Sequence, residues 1–212
     1  MIARTIRPVA LIIDATHGTG LATAWALAKE HSYHVIIGTR NIKAGEKIVT
    51  EFHQEGLQAS VLELDLTSET SVKLAIATIE CEHNCLDVLV NNVDGADALS
   101  EGLLPLLREA RAGPPRVVFV SGSADKSLGM TAPYGASRTD VKALTTSFDR
   151  KLADVGGKSN AVCSRYAGAG VPVKGPQGEK TEDSVRLLVR MATIGADGPS
   201  ATFSNSQGIV PW

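Results

Sequence analysis

Short apolar runs recur along the chain and alternate with amphipathic stretches. The runs predict strands at 9–14, 34–39, 60–65, 87–92, 116–122 and 159–164, with a further short strand at 201–203. The stretches between them predict helices at 20–29, 41–56, 68–81, 98–110, 134–154 and 182–193. Runs that are apolar nearly throughout are typical of a parallel sheet covered by helices on both faces. The predicted fold class is therefore α/β: a Rossmann-like, doubly wound parallel sheet of about seven strands, in three α/β/α layers.

Local signals support several element boundaries. Asn41 and Ser68 are predicted N-caps, because their side chains can accept a bond from a free amide of the first helical turn. Gly56 is a predicted helix stop. Segment 167–180 is rich in glycine and proline and shows no periodicity. It predicts a loop, either a mobile lid or a disordered segment.

Composition narrows the class of protein. The 212 residues are 43% apolar and 21% charged, which suits one soluble domain spanning 1–212. A formal charge of -2 gives no reason to expect nucleic-acid binding. The first apolar run is too short to cross a bilayer. Three cysteines make no disulfide framework, and neither they nor His31, His34, His53 and His83 show metal-site spacing, so we expect a cytoplasmic protein with reduced thiols and no metal.

The junction between the first strand and the first helix carries the candidate chemistry. Gly18 and Gly20 form a glycine-bearing turn that brings backbone N–H groups and a helix N-terminus to one place, as a dinucleotide phosphate requires. Arg40 ends the second strand, where a cation favours NADP over NAD, although a solvated strand-end charge is nearly as good an interpretation. The predicted cofactor-binding residues are Thr16, His17, Gly18, Thr19, Gly20, Arg40, Asp65, Leu66 and Asn91.

Several segments together resemble the short-chain dehydrogenase/reductase family, in its carbonyl-reductase-like branch. They are ALIIDATHGTGLATAWALA, DLTSETSV, DVLVNN, RVVFVSGS, YGASR, NAVC and GPSATFSNSQGIVPW. The resemblance implies the strand order 3-2-1-4-5-6-7 and hydride transfer between NADP(H) and a carbonyl or alcohol. It also implies that Ser123 binds the carbonyl, that Tyr134 donates the proton, and that Arg138 stands in place of the partner lysine.

The chain departs from the family pattern at functional positions. Asp14 and Asp94 occupy positions where the family has glycine, and Ala169 replaces a threonine that contacts the nicotinamide. The link between the fourth and fifth strands is shorter than in the family. A carboxylate about 5 Å from a diphosphate costs roughly 3 kcal/mol at an effective dielectric near 20, unless Asp14 turns away and caps the next helix. The departures predict cofactor binding that is weakened, altered or lost.

Three functions follow from the resemblance. The first is an NADP(H)-dependent reductase of a small carbonyl compound, acting as a monomer or homodimer without nucleic-acid or membrane partners. The second is a non-redox enzyme on the same scaffold, such as an isomerase or cyclase, with Tyr134 as acid. The third is a non-catalytic relative that binds a ligand or a partner chain. We place the first ahead, although fold does not determine function.

Overall fold

The computed structural model describes residues 7–92, 95–122, 138–164 and 176–212. Within these residues, eight strands form one sheet. The strands are β1 (Val9–Ile13), β2 (His34–Thr39), β3 (Ala59–Glu63), β4 (Val88–Asn91), β5 (Arg116–Gly122), β6 (Lys158–Ser164), β7 (Thr202–Asn205) and β8 (Gly208–Val210). Their order across the sheet is β3-β2-β1-β4-β5-β6-β7-β8, which confirms the order that the family resemblance implies and adds one strand.

All neighbouring strands pair in parallel except β7 and β8, which pair antiparallel. The strand β8 was not predicted, because a run of three residues is too short to show a pattern. It returns from β7 through a tight turn in which the Asn205 side chain accepts a bond from the Gln207 amide at 2.8 Å. Gly208, with a φ of 128°, completes the reversal.

Helices cover both faces of the sheet. They are α1 (Gly18–His31), α2 (Ile42–Gln54), α3 (Glu69–His83), α4 (Asp97–Gly102), α5 (Leu104–Arg108), α6 (Arg138–Lys151) and α7 (Pro176–Ala192). One core cluster joins one face of the sheet to α1, α2 and α7, and the other joins the opposite face to α3, α4, α5 and α6. Alternate residues of β1 belong to different clusters. Leu11 packs in the cluster with α3, α4, α5 and α6, and Ile12 packs in the cluster with α1, α2 and α7. The three predicted layers are therefore confirmed.

Two predicted elements differ from the structure. The single helix predicted at 98–110 is two short helices meeting at Leu103, because Pro105 lacks an amide and its ring excludes a continuous helix. Residues 176–180 belong to α7 instead of the predicted loop, whose remaining residues up to 175 lie outside the described ranges. None of the described helices is long and apolar enough to cross a membrane.

Candidate functional site

The candidate site lies at the carboxyl edge of the parallel strands, around the end of β1. The chain winds from β1 outward to β2 and β3, then returns to place β4 on the other side of β1. In open α/β sheets this reversal of direction leaves a crevice in which ligands bind. Asp14 and Arg40 directly follow β1 and β2, Asp65 lies two residues beyond β3, and Asn91 ends β4. The fold thus brings these predicted cofactor residues to one edge of the sheet.

The turn between β1 and α1 has an unusual backbone. Asp14 adopts the left-handed conformation, with a φ of 56°, and its amide donates to the Gly38 carbonyl of β2 at 2.9 Å. Gly18 also has a positive φ, of 59°. At Gly20 a Cβ would lie 2.7 Å from the Asp14 carbonyl oxygen, so only glycine lets α1 approach the turn this closely.

The N-terminus of α1 is open to a ligand. His17 is its N-cap residue, but no side chain caps the helix, and its first turn contains no acidic residue. The alternative in which Asp14 caps this helix is therefore wrong. Leu21 donates to the His17 carbonyl at 3.2 Å; the amides of the preceding turn have no partner within the helix and can bind an anion.

The threonines of the turn have local partners. The Thr16 hydroxyl lies 3.2 Å from Nδ1 of His17. The Thr19 carbonyl accepts a bond from the Thr23 hydroxyl at 2.8 Å, one turn further along α1. Both threonines are partly buried, whereas His17 is exposed. Of these three side chains, that of His17 is the exposed one, directly before the N-terminus of α1.

The ends of β2 and β3 carry opposite charges. Arg40 is exposed directly after β2. The Asp65 carboxylate accepts bonds from the Thr67 hydroxyl at 2.7 Å and the Thr67 amide at 3.0 Å. These bonds, with a smaller contribution from the charge of Arg40, lower the pKa of Asp65. Leu66 packs against the core, so its side chain does not point freely into the crevice.

The end of β4 contains a buried amide with unused bonding capacity. Asn91 is 1% exposed; its Oδ1 accepts a bond from the Ser100 hydroxyl at 3.3 Å, while its Nδ2 has no hydrogen-bond partner. The side-chain Nδ2 of Asn92 donates a bond to the Asp14 carbonyl oxygen at 3.5 Å and links the end of β4 to the turn. Neither Asn92 nor Ser100 was among the predicted site residues. The Asn-Asn pair was a usable signal for Asn92, whereas nothing local marked Ser100.

Of the three predicted catalytic residues, only Arg138 belongs to the described residues. Ser123 and Tyr134 lie outside the described ranges, and so do Asp94 and Ala169. Arg138 is the first residue of α6. Since β5 ends at Gly122, directly before Ser123, the chain reaches the carboxyl edge of the sheet at this point. The proximity of Ser123, Tyr134 and Arg138 stays a prediction.

Comparison with known proteins gives a consistent set of relatives. A family model described as short chain dehydrogenase matches residues 8–101. A protein of Streptomyces virginiae, named as a ketoacyl reductase of the monensin polyketide synthase, is 30% identical over 183 residues, covering 74% of this chain and 70% of that protein. The short-chain dehydrogenase/reductase ATR10 of Stachybotrys chlorohalonatus is 25% identical over 252 residues, covering 97% of this chain and 91% of that protein.

Two further similarities are narrower in what they establish. NADPH carbonyl reductase 1 of Mus musculus is 34% identical over 86 residues, which cover 41% of this chain and 31% of the mouse protein. The crystal structure of a variant actinorhodin polyketide ketoreductase with NADPH superposes with a TM-score of 0.75 at 21% identity, covering 94% of this chain and 95% of the other. At that identity the likeness concerns the fold.

Proposed function

Because this chain belongs to the short-chain dehydrogenase/reductase family of oxidoreductases, we propose that it is an NADP(H)-dependent oxidoreductase that reduces a small carbonyl compound. The observation that carries the proposal is the β1–α1 junction. There the uncapped N-terminus of α1 lies where the order of the strands reverses direction, and the lack of a side chain at Gly20 lets the helix lie close to the turn. Relatives whose names or titles include NADPH support the choice of cofactor.

The residues at this edge fit a dinucleotide at most points. The free amides at the start of α1 suit a diphosphate, because they present N–H donors and the positive end of the helix dipole. Arg40 suits a 2′-phosphate, and the unpartnered Nδ2 of Asn91 is a donor without a protein acceptor. Asp14 is the exception, since its carboxylate belongs to the same turn as the phosphate-binding amides.

The protein's part in the reaction is to bind, orient and supply a proton. NADPH, when bound, supplies the hydride. We assign to the Ser123 hydroxyl a hydrogen bond to the substrate carbonyl oxygen, and to the Tyr134 phenol the proton that this oxygen takes up. The positive charge of Arg138 favours the phenolate that remains, although a guanidinium cannot itself relay a proton.

Equilibrium titration with NADPH and NADH tests the cofactor assignment directly. We expect wild type to bind NADPH more tightly than NADH, and Arg40→Ala to lose that preference while keeping its affinity for NADH. Asp14→Gly should bind both cofactors roughly ten- to a hundredfold more tightly, because it removes a negative charge near the diphosphate. Calorimetry provides the dissociation constants. Failure of both wild type and Asp14→Gly to bind either cofactor at millimolar concentration would refute the proposal.

Asp14 also favours a second candidate. A carboxylate in the phosphate turn is what a scaffold no longer used for a dinucleotide would tolerate, and such a protein would be a non-redox acid–base enzyme. That alternative requires turnover without added cofactor, abolished by Tyr134→Phe. Tight cofactor binding by wild type would argue against it.

A further inference from the structure

A buried polar pair joins the end of β4 to helix α4. Asn91 is the last residue of β4 and Ser100 lies in α4; they are 1% and 0% exposed. Leu89 packs in the cluster with α3, α4, α5 and α6, and Val90 packs in the cluster on the other face. Since successive side chains of a strand alternate between faces, Asn91 lies on the face that α4 covers. The pair therefore connects the carboxyl end of a central strand to its covering helix.

The Ser100 hydroxyl has two acceptors within reach and one hydrogen to donate. The Ala96 carbonyl lies 2.8 Å from it and Oδ1 of Asn91 lies 3.3 Å from it. The same Ala96 carbonyl also accepts the Ser100 amide at 2.9 Å, so it has a partner without the hydroxyl. Within the described ranges, no second donor bonds Oδ1 of Asn91. The bond from Ser100 to Asn91 is therefore the one for which these residues offer no substitute.

This bond determines which atom of the Asn91 amide faces away from α4. With Oδ1 held by Ser100, Nδ2 occupies the other branch of the planar amide, where it is buried and has no hydrogen-bond partner. A buried donor without an acceptor keeps its full desolvation cost, which a ligand oxygen placed there would remove. A half-turn of the amide would instead present Oδ1, which cannot donate to such an oxygen. The orientation of Asn91 thus affects what can bind at the end of β4.

We propose that Ser100 is a positioning residue for dinucleotide binding, because its hydroxyl holds the Asn91 amide with Nδ2 toward an acceptor oxygen of the ligand. The inference rests on the proposed function, since it concerns the same edge of the sheet. Without the hydroxyl, Oδ1 loses its donor and the amide is free to turn. Ser100→Ala should therefore weaken dinucleotide binding roughly three- to tenfold, the range that corresponds to one net hydrogen bond.

A double-mutant cycle measured by calorimetry with NADP+ tests this. Wild type, Ser100→Ala, Asn91→Ala and the double variant are compared, in the native chain and in Asp14→Gly. Asn91→Ala should weaken binding at least as much as Ser100→Ala does, and adding Ser100→Ala to it should cause no further loss. A merely structural role of Ser100 in α4 would act whether or not Asn91 is present, so the two losses would then multiply.

Two further variants separate orientation of Asn91 from loss of a buried hydroxyl. Ser100→Thr keeps a hydroxyl and should bind NADP+ as wild type does. Thr145→Val is the matched control, because Thr145 is 0% exposed in α6 and its hydroxyl donates to the Val141 carbonyl at 2.7 Å, the same bond to the preceding turn that Ser100 makes in α4. This variant should also bind NADP+ as wild type does. Urea unfolding of each variant establishes that it is folded under the conditions of the titration.

The outcomes separate the two proposals. Equal NADP+ affinity of wild type and Ser100→Ala overturns the role of Ser100 and leaves the proposed function standing. Losses that multiply in the double variant, or an equal loss in Thr145→Val, overturn it in the same way. Absence of NADP+ binding in the native chain and in Asp14→Gly overturns both proposals together.

Discussion

At the scale of single residues, the structure shows how the turn between β1 and α1 accommodates the carboxylate of Asp14. Its φ of 56° is a conformation that glycine adopts freely. Aspartate is among the non-glycine residues that adopt it most readily, at a cost of about 1 kcal/mol or more. The backbone of the turn is therefore kept, while a carboxylate is added beside the helix N-terminus.

Gly20 supports the first residue-scale prediction. Gly20→Ala should lower the free energy of unfolding by roughly 1–2 kcal/mol, because the new Cβ would meet the Asp14 carbonyl oxygen at 2.7 Å, a backbone atom that cannot move aside cheaply. Urea unfolding measures the change.

Gly195→Ala is the matched control, since a Cβ there meets no atom within 4 Å. That variant should stay within about 0.5 kcal/mol of wild type. Equal effects of the two substitutions would show that the close approach of α1 to the turn is unimportant for stability.

At the scale of elements, the amino edge of the sheet is held by one buried carboxylate. Asp87, which directly precedes β4, is 0% exposed. Its Oδ2 accepts a bond from the Val9 amide of β1 at 2.7 Å, and its Oδ1 accepts bonds from the Arg111 amide at 2.6 Å and the Ala112 amide at 2.7 Å. One side chain thus ties β1, β4 and the approach to β5.

Asp87→Ala should destabilise the fold by about 2–4 kcal/mol, because the buried Val9 amide and the partly buried Arg111 and Ala112 amides lose their acceptor at once. Asp87→Asn should cost less, since its carbonyl oxygen still accepts a bond. Chemical denaturation of both variants gives the comparison. A loss below about 1 kcal/mol in the alanine variant would mean that water replaces the carboxylate.

The ends of the helices show which structural features can be predicted from neighbouring residues alone. The predicted caps are confirmed: Asn41 accepts a bond from the Ala44 amide at 3.1 Å, and Ser68 accepts one from the Ser71 amide at 3.3 Å. These signals act within three residues and can be read from sequence. The break at Leu103 was missed because the apolar periodicity continues across it, although Pro105 was a usable local signal.

At the scale of the whole molecule, two histidines at the amino edge of the sheet make the free energy of unfolding depend on pH. His34 begins β2, and His83 ends α3. Burial of the ring, followed by the charges of His83, His53 and Arg7, lowers the pKa of His34 to about 4. Its imidazole bonds the Ser60 hydroxyl at 3.0 Å and lies 4.7 Å from the His83 ring, centroid to centroid. Burial also lowers the pKa of His83.

The direction in which the free energy of unfolding changes with pH follows from where His34 binds a proton. Between about pH 6.5 and pH 4 the unfolded chain binds a proton at His34 that the folded protein does not, so the free energy of unfolding falls as pH falls through this window. Above it the contribution is fully present. The size is roughly 1–3 kcal/mol, reduced by the partial exposure of the ring.

His34→Gln should flatten this pH dependence, leaving the smaller part due to His83. Urea unfolding at several pH values measures it, with His31→Gln, at the exposed end of α1, as control. An unchanged slope in His34→Gln would contradict the assignment.

The candidate site was predictable in its parts but not in its arrangement. The turn glycines, Arg40 and Asp65 were identified because each follows an apolar run at a strand end. The orphan amide of Asn91 and the link from Asn92 to Asp14 were not, because each depends on how β4 lies beside β1. Ser123 and Tyr134 stay predictions from the family resemblance.

The sequence by itself determined the class of fold, the order of most elements and the family. Continuous apolar runs, helix caps and glycine turns act over a few residues, and they survive without knowledge of distant contacts. Only the tertiary structure decided the conformation of Asp14, the requirement for glycine at 20, the eighth strand and the edge on which each histidine lies. Those features depend on distances between segments far apart in the chain, which local patterning does not encode.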